Sequence, residues 1–240
     1  MNKEEFKKDI KELLNQIQIE LSDEQIEKFY NYMNELLEWN TKINLTAITD
    51  PKEVILKHFV DSLTIDKYVK NTNTMIDVGT GAGFPGIPIK ISNDNLQITL
   101  LDSLNKRILF LEDIINKLEL QNIQTIHLRA EEAGNNKKYR ESYDIAISRA
   151  VAQLNILSEY LLPLVKIGGK VICMKGSNVQ EELEQAQKAI EILGGEIEKV
   201  EKFSLPNTDM ERNIIIIKKI KNSPLKYPRK AGTPSKEPIQ

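Results

Sequence analysis

The sequence predicts an α/β fold: a seven-stranded, mostly parallel sheet ending in an antiparallel edge hairpin, preceded by an N-terminal helical extension. Three observations predict it. Residues 1–70 carry helical periodicity and helix caps. From residue 74, short β-type runs alternate with amphipathic stretches, the rhythm of parallel strands covered on both faces. The last two β-type runs are joined by a short polar link instead of a helix, so they pair antiparallel.

Taken in order, Ser22-Asp-Glu-Gln25 is a capping box,. Ile26, Phe29, Tyr30, Met33 and Leu37 then form one apolar stripe on a helix ending near Trp39,. Asp50-Pro51-Lys52-Glu53 opens another helix, with Asp as N-cap and Pro at the first helical position,. Strands are expected at 75–78, 97–101, 123–128, 145–148, 170–174, 197–203 and 213–218. A helix over 103–117 has Leu104, Ile108, Leu111 and Ile115 on its face, and another over 178–193 is closed by Gly194-Gly195,. Three segments follow: a helical region at 1–70, a sheet domain at 71–220 and a basic, proline-rich tail at 221–240.

Composition excludes several classes. Of 240 residues, 40% are apolar and 28% charged, which argues against disorder and fibrous repeats,. No clean apolar run exceeds four residues, as at 214–217, whereas a bilayer helix needs about 20,. The charged N-terminus lacks the apolar centre of a signal peptide. A soluble, cytoplasmic protein without membrane partners is therefore expected. The single cysteine, Cys173, excludes an internal disulfide, and with only His58 and His127 beside it no zinc cluster is expected,. No long exposed apolar stripe calls for a partner subunit, and a monomer is expected.

The net charge of −2 hides an asymmetry. Residues 1–38 carry five lysines against ten acids, whereas 218–240 carry seven bases against Glu237. A basic end suits a polyanion, or it is simply a solvated tail.

Chemistry concentrates in Met75-Ile-Asp-Val-Gly-Thr-Gly-Ala-Gly-Phe-Pro-Gly86, at the end of the first strand. Glycines at 79, 81 and 83 let the backbone turn sharply and approach a ligand. Ligands in such sheets bind beyond the carboxyl ends of the strands. A Walker loop fails here because Ile87-Pro88, not Lys-Ser/Thr, follows Gly86,. A dinucleotide fingerprint is formally present, yet three features favour S-adenosylmethionine (SAM). Asp77 suits a cationic α-amino group and would repel a pyrophosphate. Pro85 and Pro88 compromise the helix start for anions. Asp102, ending the second strand, offers two acceptors to ribose hydroxyls. Glu131 is placed to line an adenine pocket or to be a solvated loop acid. Arg149 closes the fourth strand and faces the crevice. Cys173, in an apolar run, reads as a core thiol, and His58 and His127 as core or surface residues.

These stretches together resemble the bacterial glucose-inhibited division protein B (RsmG) family, the small-subunit 16S ribosomal RNA guanine-N7 methyltransferases. The resemblance is carried by Trp39-Asn40 with Asn44-Leu-Thr-Ala-Ile48, His58-Phe-Val-Asp-Ser-Leu63, the glycine loop through Pro88, Leu101-Asp-Ser-Leu-Asn-Lys-Arg107, Arg129-Ala-Glu131, Ser148-Arg-Ala150 and Tyr227-Pro-Arg-Lys-Ala-Gly-Thr-Pro234. It implies a class I, Rossmann-like SAM-dependent methyltransferase with S-adenosyl-L-methionine as cofactor. Cofactor contacts would fall on Gly79, Gly81, Phe84, Asp102, Ala130, Glu131 and Arg149. The partner would be 16S ribosomal RNA, as a small ribosomal subunit or assembly intermediate, methylated at N7 of one guanine in the decoding-region loop.

The residues are consistent with that chemistry. Guanine N7 has a lone pair and no proton, so neither a base nor a covalent nucleophile is required, and catalysis reduces to positioning. Arg149 is then the candidate catalytic residue, orienting guanine O6 or a phosphate. The tail stretch Lys226-Tyr-Pro-Arg-Lys230 is the candidate for RNA contact. Open alternatives are a SAM-dependent enzyme acting on a protein or small molecule, an NAD-dependent oxidoreductase, and a non-enzymatic RNA scaffold.

Overall fold

The computed structural model describes residues 1–149, 152–177 and 179–240. Ala150 of the Ser148-Arg-Ala150 motif, Val151, and Asn178, the expected start of a helix, lie outside the described residues.

The N-terminal region is helical: α1 (Lys3–Gln16), α2 (Asp23–Asn40), α3 (Pro51–Val54), α4 (Asp61–Leu63) and α5 (Asp66–Val69), with a π-helical segment at Ile55–Val60 joining α3 to α4. The caps are those the sequence predicts. Ser22 accepts from the backbone N–H of Gln25, whose side chain returns the bond, and Asp50 accepts from the N–H of Glu53. Helix α2 presents a slightly rotated stripe. Ile26, Phe29, Tyr32, Met33 and Leu36 are buried, whereas the expected Tyr30 and Leu37 are half-buried. The rotation turns Tyr32 toward the sheet and leaves Tyr30 edge-on to Phe6.

The remaining elements are β1 (Thr74–Val78), α6 (Gly86–Ser92), β2 (Gln97–Asp102), α7 (Asn105–Lys117), β3 (Ile123–His127), α8 (Ala130–Asn135), β4 (Tyr143–Arg149), α9 (Leu154–Leu161), β5 (Val165–Lys175), α10 (Gln180–Ile192), β6 (Gly195–Ser204), β7 (Glu211–Lys219) and α11 (Thr233–Lys236). The sheet order is β3-β2-β1-β4-β5-β7-β6. The first five strands run parallel. Strand β7 is antiparallel to both neighbours and lies between β5 and β6, so the hairpin folds back into the sheet.

Each sheet face carries its own apolar layer. Phe6, Ile10, Leu14 and Phe29 of the N-terminal helices share one cluster with Ile87, Ile89 and Phe110. Leu157, Leu161, Ala186 and Ile190 build the other, joined by Tyr227 and Ile239 of the tail. The strand order reverses at β1 and β4. Their carboxyl ends therefore diverge into the crevice where ligands of such sheets bind.

Helix α7 starts at Asn105, and Leu104, expected on its buried face, is instead exposed at its N-cap. Among the described residues, no helix is long and apolar enough to cross a membrane.

Candidate active site

Glycines 79, 81 and 83 have φ of 70°, 63° and 93°, the left-handed region that L side chains avoid,. The turn is closed from below. Asp77 Oδ2 accepts from Thr80 Oγ1 at 2.7 Å and from the Gly86 N–H at 2.9 Å. A Cβ at Gly83 would meet Ile87 Cδ1 at 2.5 Å, and one at Gly86 would meet Leu100 Cδ2 at 2.3 Å. A Cβ at Gly81 would meet nothing within 4 Å, which marks the open side of the cradle. Tyr32, from α2, donates its hydroxyl to the Ala82 carbonyl and so ties the helical region to the loop.

Asp77 is fully buried, and its Oδ1 has no hydrogen-bond partner among the described residues. Burial pushes its carboxyl up to about 6, against the lowering effect of its Thr80 and Gly86 bonds,. The expected open carboxylate is thus a buried one with a single unused oxygen. Asp102, at the end of β2, is also buried. It accepts from the N–H groups of Gly81 and Leu104, both at 2.9 Å, and from Arg107 Nη1 at 3.2 Å. Arg107 Nε is buried without a partner among the described residues.

Arg149 extends from the end of β4 toward the helical region. It donates to the Lys57 carbonyl and to Asp61 Oδ2, each at 3.1 Å, and to His58 Nδ1 at 3.2 Å. Asp61 also accepts from Arg212 Nε at 3.0 Å, so one buried carboxylate fixes two guanidinium groups. The His58 ring stacks on Phe84, 4.4 Å between centroids and 14° between planes, and the Arg149 guanidinium lies 5.0 Å from the same Phe84 ring.

The tautomer of His58 follows from its partners. Arginine only donates, so Nδ1 is the acceptor. The proton is then on Nε2, which donates to Thr46 Oγ1 at 2.9 Å. Burial and the neighbouring Arg149 charge lower the imidazole to about 3,. A neutral ring with both nitrogens engaged takes no proton from a substrate. The rate at saturating SAM should therefore be flat over about pH 6 to 8, where a free imidazole titrates. A single inflection there, abolished by His58→Gln, would show the ring to act as a base.

Thr46 reaches this place because Asn40 Oδ1, at the end of α2, accepts from the N–H groups of Leu45 and Thr46 at 2.8 and 3.0 Å. Together these groups line a crevice of about 450 Å³ bounded by Thr46, His58, Gly79–Ala82, Phe84, Asp102, Arg107 and Arg149.

Of the residues singled out from the sequence, Gly79, Gly81, Phe84, Asp102 and Arg149 meet in this crevice. Ala130 and Glu131, in the first turn of α8, do not line it. Glu131 is buried and its carboxylate accepts from the Gly232 N–H of the tail at 2.8 Å. The tail is anchored to the sheet domain at several points and is not a free, solvated arm. Tyr227 is buried and Arg229 is held by Glu159, so only part of the Lys226–Lys230 stretch remains to meet a polyanion. Cys173 is buried on β5 with its thiol pushed up to about 12 by burial, as expected of a core residue. Among the described residues, no group of three His, Cys, Asp or Glu side chains is arranged to hold a metal.

Sequence reasoning missed His58, Thr46, Tyr32, Asp61 and Arg107 as contributors. His58 and Asp61 stand among the apolar residues of 54–63 and are buried at 8% and 4% exposure.

Comparison with known proteins places the chain in a family. A family model described as rRNA small subunit methyltransferase G (GidB) matches residues 25–215. A relative from Acetivibrio thermocellus named "Ribosomal RNA small subunit methyltransferase G" is 56% identical over 92% of this chain and 91% of its own length. A relative of the same name from Bacillus subtilis is 52% identical over the whole of both chains. Among solved structures, TYW2 of M. jannaschii in complex with AdoMet aligns with a TM-score of 0.53 and 13% identity, over 68% of this chain and 76% of that one. At that identity the likeness is one of fold.

Proposed function

We propose, from the premise that this chain belongs to the rRNA small subunit methyltransferase G family, that it methylates N7 of a single guanine in the decoding-region loop of 16S ribosomal RNA. It is a SAM-dependent methyltransferase with the class I seven-stranded fold. The observation that carries the N7 reading is the His58–Phe84–Arg149 assembly, which brings a cation and a flat apolar surface to the crevice but no free base.

The residues fit the cofactor. The unused Oδ1 of Asp77 suits the α-amino group, and the open side of Gly81 admits a ligand where any side chain would intrude. Asp102 Oδ1, which accepts only from Leu104, keeps a lone pair for a ribose hydroxyl, and Gly79 and Phe84 border the same space,. Ala130 and Glu131 would stand at the adenine end. When bound, the cofactor supplies an electrophilic sulfonium methyl.

The protein's part is then to hold an acceptor in line with that methyl and to exclude water. Guanine N7 attacks with its own lone pair and releases no proton, so the engaged nitrogens of His58 cost nothing. Arg149, fixed by Asp61 and His58, points its remaining N–H capacity at guanine O6 or an adjacent phosphate. The target base must first be splayed from its stack to reach the crevice.

Incubation of the purified protein with labelled SAM and small ribosomal subunits lacking the modification tests this reading. Cleavage at 7-methylguanine should map the label to one guanine of the decoding-region loop. Label on another atom or another RNA would refute the N7 assignment. No label in RNA, with SAM binding intact, would move the acceptor to a protein or small molecule.

A further inference from the structure

We propose that residues 223–235 are a positioning strap for the cofactor site, setting SAM affinity through helix α8 and not serving mainly as an arm for RNA. The proposal rests on the reading that Ala130–Glu131 stand at the adenine end.

The strap is bolted down by groups buried among protein atoms. Lys219, fully buried at the end of β7, donates to the Leu162 carbonyl at 2.8 Å and to Ser223 Oγ, which fixes the point where the tail leaves the sheet. Arg140 then acts as a staple. Its Nη1 donates to the Gly134 carbonyl of α8 at 2.9 Å and to the Tyr227 carbonyl at 2.7 Å, while Nη2 donates to the Ser223 carbonyl at 2.8 Å. Arg229 makes a bidentate pair with Glu159, at 2.9 Å from Nε and 2.6 Å from Nη2, and its backbone N–H adds a third bond at 2.8 Å. Glu159 is 1% exposed. Withdrawing Arg229 to meet RNA would strand that carboxylate in the interior, a cost no phosphate contact at the surface would offset.

These bonds converge on α8. Asn135 Nδ2 donates at once to the Glu131 carbonyl and to the Pro228 carbonyl. The Pro228 ring rests on Gly134, where a Cβ would meet its Cγ at 2.7 Å. The Gly232 N–H reaches the Glu131 carboxylate, and Gly232 takes φ of 82° to do so. A helix of six residues cannot fix its own position, because so short a segment forms too few internal bonds to be stable alone,. Its first turn is therefore placed by what packs on it, and among the described residues the strap is what bonds to the Glu131 side chain itself.

The test measures binding of SAM and of 5′-methylthioadenosine, which keeps the adenosine but lacks the amino acid, to the full-length protein without RNA. Arg229→Ala and Gly232→Ala should each raise both dissociation constants by the same factor, about tenfold for the loss of one charge-assisted anchor. Arg229→Lys should recover part of the Arg229→Ala loss. With SAM saturating, kcat should stay within about twofold of wild type, so the effect appears in KM for SAM. A thermal melt of each variant identifies any that fails to fold, and Gly232→Ala removes no side chain, straining only the turn that presents its N–H to Glu131. Unchanged affinity in folded variants would overturn the strap, as would a fall in kcat with the dissociation constant unmoved, since that would assign the tail to the RNA. A wild-type protein that bound SAM but not 5′-methylthioadenosine would instead overturn the adenine-end reading beneath it.

Discussion

Arg149→Ala is expected to lower methyl transfer about a hundredfold while leaving SAM affinity within a few-fold of wild type, the loss typical of a misplaced reacting group. Arg149 donates its hydrogen bonds to the Lys57 carbonyl, Asp61 and His58, and none of these is a cofactor contact in the reading above; only its stacking over Phe84 borders the cofactor space. Its removal frees His58 Nδ1 and one oxygen of Asp61, but Arg212 still neutralises that carboxylate. The fold should therefore persist with a loss of about 1–3 kcal/mol, the cost of a vacated buried hydrogen-bond site. Single-turnover transfer with saturating RNA, set beside calorimetric SAM binding, separates the two effects. Equal losses in both would make Arg149 a cofactor ligand. Arg149→Lys should recover little, because an ammonium cannot hold Asp61 and His58 in one plane and still donate outward.

Asp77→Asn should act on binding, and in two directions at once. The amide keeps an acceptor for Thr80 and Gly86 but loses the charge that would meet the α-amino group, so SAM affinity should fall about 10- to 100-fold,. The unliganded protein should become more stable at pH 7. Asp77 titrates at about 6 in the folded chain against an ordinary 3.8, so the folded state binds more protons between those values. Stability conferred by the protonated form is complete below about pH 4 and is lost as pH rises through 6. The strain at neutral pH is on the order of 3 kcal/mol for the two-unit shift. The same shift predicts that wild-type SAM affinity climbs as pH rises from 5 and levels off above 6. A thermal melt and a binding isotherm at pH 5, 6 and 7 check both signs. Unaltered affinity in Asp77→Asn would show that the orphan oxygen serves only the loop.

What could be read from the sequence was local. The glycine loop, Asp102 and Arg149 sit at strand ends, where the alternation of strands and helices already points to a crevice. The capping box of α2 and the Asp50 N-cap of α3 were equally visible. What could not be read was set by distance along the chain. His58 and Thr46 lie in the helical region, and they come to the loop only because Tyr32 and Phe84 pack there, about fifty residues apart in sequence. Arg229 looked like a free cation because its partner, Glu159, is seventy residues away. The position of β7 inside the sheet, beyond its antiparallel pairing with β6, also depends on long-range contacts with β5.

That strand order sets when the protein can finish folding as it leaves the ribosome. Strand β5 runs from Val165 to Lys175, but its outer edge is covered by Glu211–Lys219, not by the strand made next. Until those residues emerge, β5 presents an open row of backbone groups beside the apolar Val171–Met174, the kind of edge that recruits other strands,. Nascent chains stopped after Ser204 should therefore aggregate or call on chaperones, whereas chains reaching Lys219 should close their own sheet. The cofactor crevice is encoded almost wholly upstream of this point, yet it becomes secure only once Glu211–Lys219 have been made.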